Sequence, residues 1–440
     1  MAGANSGCGK TTVALGIMAA LSRRGMKVQP FKCGPDFIDP TLHRLVTGNI
    51  SRNLDIRMCG RQFVARTFAR HIRQADVAVI EGVMGLFDGG DGSAAALAAF
   101  LGVPVLLVVN AASAAESVAA VIKGFEEFDK GLEFAGVILN NIAGPRHEKL
   151  VRDAAAGRCR TEIAGVIPRD DGFVIPERHL GLFMGDERPL STEGISRLAE
   201  TAERYVDLDR VLRIGRILPD DSASGVRIHG IDRQTRVGVA RDRAFCFYYE
   251  DNLDMFREAG AELVEFSVTH DPCLPDGLDA IYLGGGYPEL YAEPISSNRS
   301  MLASLRKWAG QGRPMLAECG GFMLLSEGII LEDGGFREMA GVFPVRVRMN
   351  RRLRKLGYRQ VRLARDSLIG RAGDILHGHE FHYSDISPMP GHVSRLFDSG
   401  EIEGWQIKNT IAGYMHFHFG RTPGAITRFL GAGARHDTTS

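Results

Sequence analysis

The sequence predicts an α/β fold in two doubly wound units, and three observations carry that expectation. Apolar runs of four to seven residues alternate with helix-like stretches, as strands buried on both faces of a parallel sheet require. The series is interrupted between about Gly185 and Arg236, where apolar periodicity weakens, and then begins again. In each half a glycine-rich turn carries reactive side chains into a helix: Gly7-Cys8-Gly9-Lys10-Thr11-Thr12 in the first, Glu318-Cys319-Gly320-Gly321 in the second.

In the first half, strands are predicted at Met26 to Phe31, Val77 to Ile80, Val103 to Val109 and Gly136 to Leu139. Helices are predicted over Thr11 to Arg23, Ala94 to Leu101 and Ser113 to Phe128. Polar or glycine residues follow the strands, at the edge where open α/β sheets bind ligands. Only Met1 and Ala2 precede Gly3, too few for the strand that normally delivers such a loop, so the natural chain is expected to start upstream. The second half offers strands at Val237 to Ala240, Leu263 to Phe266, Ala280 to Leu283 and Pro314 to Ala317. Ser222-Ala223-Ser224-Gly225 has linker composition, which sets the expected domains at 1–225 and 226–440.

Composition removes several function classes. Lys+Arg and Asp+Glu both number 53, and a chain without net charge is a poor match for a nucleic-acid backbone. No run of 18 apolar residues exists and the N-terminus has no signal-peptide pattern, so a cytoplasmic protein without a membrane span is expected. Seven scattered cysteines with no CxxC pair fit reduced thiols rather than a structural zinc site.

The N-terminal loop is suited to phosphate. Its glycines let backbone N–H groups turn toward oxygens, a lysine neutralises charge, and a hydroxyl can reach magnesium. Gly7, Gly9, Lys10, Thr11 and Thr12 supply these at a helix start, although Ala4 occupies the first glycine position of the strict pattern. ATP and Mg2+ are therefore the expected cofactors. Glu81 ends a strand where a magnesium ligand belongs, joined by Thr11 and Asp36, while Asp36, Asp39 and Asp88 stand on loops where they can position metal, nucleotide or substrate.

Around Cys319, an apolar strand, a sharp turn and glycines entering a helix have the form of a nucleophile elbow. A histidine base would complete the activation. Gly413-Tyr414-Met415-His416-Phe417-His418-Phe419 offers two, His416 being the better placed and His418 the alternative. Gly285 and Gly286, with Gly320, are the candidate oxyanion donors, since bare backbone N–H groups approach a developing charge closely.

These residues resemble the glutaminase part of class I (triad-type) glutamine amidotransferases, of flavodoxin-like architecture. That family reads His-x-Glu at its second motif, whereas this chain has His418 in the glutamate position, so a Cys319–His416 pair describes it better and its orienting acid is open. Gly34-Pro35-Asp36-Phe37-Ile38-Asp39-Pro40, Glu81 to Gly89, Phe245 to Tyr249, Gly284 to Leu290, Gly378 to Ser384 and Tyr414 to Phe419 extend the likeness over nearly the whole chain. Together they resemble the cobyrinate a,c-diamide synthase family, whose P-loop NTPase-like first domain is similar to dethiobiotin synthetase. Asn5 stands where partitioning ATPases carry a signature lysine, which disfavours a ParA/MinD-like ATPase switch. The resemblance implies ATP-driven amidation of cobyrinate, a corrinoid, with L-glutamine as nitrogen donor. It also implies adenine recognition by Asn140, and a homodimer is compatible with it. Hydrogenobyrinate and nickel-sirohydrochlorin are alternative tetrapyrroles that would use the same motifs. A broad cleft between the domains is expected for so large a substrate, with Arg346, Arg348, Arg351, Arg352, Arg354 and Lys355 as its cations or else as a solvated surface.

Overall fold

The computed structural model describes residues 1–169, 177–178, 181–182, 184, 190–214, 234–399 and 402–436. The chain divides into two compact units, Met1–Gly225 and Val226–Ser440. The Ser222–Gly225 linker lies outside the described residues, as do the other positions of 185–189 and 215–233, while the stretch between them holds the helices Thr192–Tyr205 and Leu208–Ile214.

In the first unit seven strands run parallel, in the spatial order Arg52–Leu54, Val28–Cys33, Val77–Glu81, Ala2–Gly3, Val105–Asn110, Phe134–Ile142, Ile163–Pro168, and a separate two-residue pair, Glu177–Arg178 with Gly181–Leu182, is antiparallel. The central join is made by Met1, whose nitrogen donates to Ile80 O (2.9 Å) while its carbonyl accepts from Gly82 N (2.8 Å). The strand delivering the phosphate loop is thus present but only two residues long, paired with Leu107 and Val108. Val105 to Val109 are all buried, which is why that segment reads as an uninterrupted apolar run. The helix Lys10–Arg23 buries every residue from Val13 to Leu21 between the sheet and neighbouring helices. The seven parallel strands end at the same edge, and the loops that follow them hold the candidate site.

The second unit has a seven-stranded sheet in the order Ala261–Phe266, Thr235–Ala240, Ala280–Leu283, Met315–Glu318, Thr410–Gly413, Gly404–Ile407, Ser394–Arg395. The first five are parallel, as expected; the last two are antiparallel. A hairpin, Lys355–Arg362 with Ile375–His382, adds the short strand His416–Phe417, and a four-stranded sheet is built from Gly328–Ile330, Phe336–Glu338, Arg346–Met349 and Ser384–Ile386. The hairpin and this mixed sheet, in which Gly328–Ile330 and Arg346–Met349 pair parallel, are absent from the sequence expectation because their strands are short or half-exposed and lack a long apolar run. Phe322, just after the cysteine turn, stacks on Trp405 (ring centroids 5.5 Å) and meets Tyr414 edge-on (5.3 Å), anchoring that turn in the core. Among the described residues no helix is long and apolar enough to cross a membrane.

Candidate active sites

The phosphate loop is tied to the sheet by Ala4 N to Val108 O (2.9 Å) and turns through positive φ at Gly7 (78°) and Gly9 (88°). A side chain at Gly9 would be strained by that φ and would collide with the Asn140 amide. Asn140, at 6% exposure, donates Nδ2 to Cys8 O (3.0 Å) and so braces the loop from beneath.

Glu81 organises the chemistry. Its carboxylate is fully buried; Oε1 accepts from Lys10 Nζ (2.8 Å), Thr11 Oγ1 (2.7 Å) and Lys32 Nζ (3.1 Å). Oε2 pairs with His43 Nε2 at 2.7 Å, and the opposite ring nitrogen meets Ser51 Oγ at 2.9 Å. Burial alone would raise the Glu81 carboxyl, but Lys10, Lys32 and His43 reverse this and hold it well below the usual carboxylate range. Burial would likewise lower the Lys32 ammonium; Asp39, Glu81 and Asp36 outweigh it and keep the group charged. Lys32 bonds Asp39 directly and Gly82 O at 3.2 Å.

Lys32 and His43 are missing from the sequence reading. A signal existed for Lys32, a charged residue inside the apolar stretch Val28–Cys33; none existed for His43, which sits on a helix face like an ordinary core residue. Of the predicted acids, Asp39 joins the cluster. Asp36 lies at its margin, Oδ2 3.9 Å from Lys32 Nζ, with Oδ1 accepting from Ile38 N (2.9 Å) at the start of the next helix. Asp88 closes its own turn by accepting from Gly85 N (3.0 Å). Thr12 follows in the first turn of the helix Lys10–Arg23. Two oxygen donors beside the phosphate loop, Thr11 Oγ1 and Glu81 Oε1, form a pair that fits magnesium, which takes few protein ligands and completes its shell with water and phosphate.

Cys319 stands at φ 48°, ψ −102°, a backbone conformation that costs a non-glycine residue about 1–3 kcal/mol and marks a functional turn. The turn is fixed by Cys319 N to Gly413 O (2.7 Å) and Met323 N to Cys319 O (3.0 Å). Burial first, then nearby Glu289, pushes the thiol above its ordinary range, against the lowering effect of the Gly320 N–H. The resting sulfur is therefore a thiol and requires a base.

Three segments converge there. A Cβ on Gly320 would lie 3.0 Å from Gly286 N, and one on Gly285 would overlap His416 Cε1. Gly285, Gly286 and Gly320 thus surround the cysteine turn with His416 against them. Tyr248 holds the glycine loop, accepting from Gly284 N (2.8 Å) and donating to Ala240 O. His416 is 2% exposed; burial, with His379 and His382 adding to it, lowers the imidazole to about 3, so it is neutral and able to accept a proton. His418 is engaged elsewhere: Nδ1 accepts from Gly420 N (3.1 Å) and the ring lies 5.2 Å from that of Tyr249.

The cationic run is exposed and partly paired within its own unit, Arg346 with Glu327 (3.3 Å), Arg351 with Glu332 (3.5 Å) and Arg354 with Asp385 (2.8 Å). Exposed pairs of this kind are weak, about 0–1 kcal/mol, and exchange readily for a ligand carboxylate.

A nucleotide-binding unit followed by a cysteine-histidine unit defines a class, the glutamine-dependent, ATP-using amide-forming ligases, and comparison with known proteins agrees. Residues 1–182 match the CobQ/CobB/MinD/ParA nucleotide binding domain and residues 236–424 the CobB/CobQ-like glutamine amidotransferase domain. The cobyrinate a,c-diamide synthase of Syntrophotalea carbinolica is 43% identical, covering 98% of this chain and 97% of its own. Those of Salmonella typhimurium (40%; 99% and 98% covered) and Priestia megaterium (40%; 98% and 95%) are similar. The chain belongs to the cobyrinate a,c-diamide synthase family. Among solved structures, a glutamine amidotransferase aligns with 45% of this chain and 98% of its own at 18% identity and a TM-score of 0.34.

Proposed function

We propose that this chain converts the a and c side-chain carboxylates of cobyrinate to amides, consuming one ATP and one glutamine for each. The observation that carries this reading is the coexistence of a buried phosphate-loop cluster around Glu81 and a strained cysteine turn beside a neutral histidine. Both lie on a chain whose relatives bear that name over their whole length.

In the second unit, His416 takes the Cys319 proton and the sulfur attacks the side-chain amide of glutamine. The Gly285, Gly286 and Gly320 backbone receives the developing oxyanion. Ammonia leaves with the proton returned by His416, and water hydrolyses the thioester to glutamate and free thiol. In the first unit a corrin carboxylate oxygen attacks the γ-phosphorus of ATP and ADP leaves, giving an acyl phosphate. Ammonia then attacks the acyl carbon, loses a proton and expels phosphate. Lys10 and Lys32 are the cations for the phosphoryl oxygens, Asp36, Asp39 and Asp88 position the reactants, and Asn140 braces the loop at the strand end where adenine is expected. Magnesium, held by Thr11 and Glu81 with Asp36 near, would neutralise charge on the phosphates.

The test is isotopic. With 18O in the substrate carboxylates, each amide formed should place one 18O in inorganic phosphate; phosphate free of label would exclude the acyl phosphate. Parallel assays with hydrogenobyrinate and nickel-sirohydrochlorin decide the tetrapyrrole, cobyrinate being expected to give the highest kcat/KM.

Arginine forks bind carboxylates in bidentate fashion. The double substitution Arg351→Glu and Arg352→Glu should raise the cobyrinate KM about tenfold or more, the loss of one charged hydrogen bond or two. The KM values for ATP and glutamine should stay put; an unchanged cobyrinate KM returns this run to the solvated surface.

A further inference from the structure

His-x-Glu supplies the orienting acid in the resembled amidotransferases, and this chain has His418 in that place. The carboxylate that does lie beside His416 belongs to Glu318, the residue immediately before the nucleophile. Its Oε2 is 3.9 Å from His416 Nδ1, and both side chains are 2% exposed. Glu318 is the last residue of the strand Met315–Glu318, and its carboxyl is held from two sides: Tyr282 OH donates to Oε2 (3.1 Å) and Phe417 N to Oε1 (3.3 Å). The second bond ties the carboxyl to the backbone of the histidine's own strand.

The geometry points to Glu318 as the positioning residue of the glutaminase centre, accepting from His416 Nδ1–H so that Nε2 is left to take the Cys319 proton. The inference rests on the glutaminase reading of Cys319 and His416. No bond is made or broken at Glu318: the thiol proton moves to Nε2, and the carboxylate stabilises the imidazolium that forms. A separation of 3.9 Å is too long for a hydrogen bond in the free protein, but such contacts commonly tighten only when substrate is bound. Placing the acid one residue before the nucleophile lets a single strand end set both groups, with Tyr282 on the adjacent strand as the lateral brace.

The pH dependence follows. Burial pushes the Glu318 carboxyl up to about 8, against the lowering effects of the Phe417 N–H and the Tyr282 hydroxyl. A protonated carboxyl carries no charge to stabilise the imidazolium formed at His416, so the competent form grows as pH rises. The other titratable groups that act with the pair are Tyr248, Tyr282 and Cys319 at Glu318 and His379 and His382 at His416, while Glu289 and Glu380 act on Cys319. Of these, burial places the Cys319, Tyr248 and Tyr282 groups above their ordinary values and His382 at about 4.

The experiment uses the full chain. Glutaminase kcat, glutamine KM and the pH-dependent rate of Cys319 alkylation by iodoacetamide are measured for wild type and for Glu318→Gln. Amidation from ammonium chloride serves as the control for folding of the first unit. Wild type should show an acidic limb in kcat with an apparent pKa near 8. In Glu318→Gln the limb disappears and kcat falls about 10²-fold with KM within a factor of two, since an orienting group acts on the proton transfer and not on substrate binding. Tyr282→Phe, which keeps the carboxyl and removes one donor, should move the limb to higher pH. Retained kcat with an unshifted limb in Glu318→Gln overturns the assignment. If Glu318→Gln does not fold, an unmoved limb in Tyr282→Phe overturns it as well. Failure of the glutaminase reading is distinguishable, because Cys319→Ala would then leave glutamine-dependent amidation intact.

Discussion

Cys319→Ala is expected to abolish glutamine-dependent amidation while amidation from high ammonia proceeds at the wild-type rate. The thiol is needed only to form the glutamyl thioester; the first unit sees ammonia in either case. The loss should be on the order of 10⁴-fold or more, the scale on which hydrolases respond to removal of a nucleophile. Relief of the strained φ of 48° at this position does not offset it, because Ala has the same Cβ and gains nothing from the turn. His416→Ala should show the same selective defect, since a buried neutral thiol cannot ionise without a proton acceptor. His418→Ala should not, its Nδ1 being spent on Gly420 N. The measurement is product formation with glutamine and with ammonium chloride in parallel. Loss of both activities in a folded Cys319→Ala protein would defeat the two-site scheme, and a selective defect in His418→Ala alone would reverse the histidine assignment.

Glu81→Ala should be the most damaging change in the first unit, in stability as well as activity. The fully buried carboxylate faces Lys10, Lys32 and His43, and its removal leaves buried cations with Asp39 as the nearest remaining counter-charge. Breaking a buried ionic network by deleting one partner costs about 3–5 kcal/mol. ATP-dependent amidation should be lost with either nitrogen donor, whereas hydrolysis of glutamine by the second unit persists. Asp36→Ala should reduce ATP-dependent amidation with little loss of stability, because its side chain is 30% exposed and its principal bonds are to the start of one helix. Denaturant unfolding followed beside the two activities separates these outcomes. Glu81→Ala with unchanged ATP-dependent amidation would remove Glu81 from the synthetase site.

Much of this was legible in the residues alone. Short apolar runs between helical stretches sufficed for two parallel sheets, because strands buried on both faces are written as unbroken hydrophobic segments. Glycine, lysine and threonine at a helix start, and a cysteine before paired glycines, were readable because their backbone demands are local. The antiparallel hairpin Lys355–Arg362 with Ile375–His382 was not, since half-exposed strands carry no long apolar signal and owe their place to their partners.

What the sequence by itself determined is the order of elements, the two reactive turns and the family to which the chain belongs. Tertiary structure alone decided which side chains share a charge. Lys32, His43 and Glu81 are separated by up to 49 positions and meet only because the strands Val28–Cys33 and Val77–Glu81 end side by side and the helix Ile38–Thr47 packs a buried face against them. Glu318 and His416 are 98 positions apart, and no spacing rule links them; the pairing of Met315–Glu318 with Thr410–Gly413 brings their chains together. Local sequence specifies backbone conformation because φ and ψ respond to near neighbours. Buried electrostatics depend on distance in space and on exclusion of water, and those exist only once the sheet has formed.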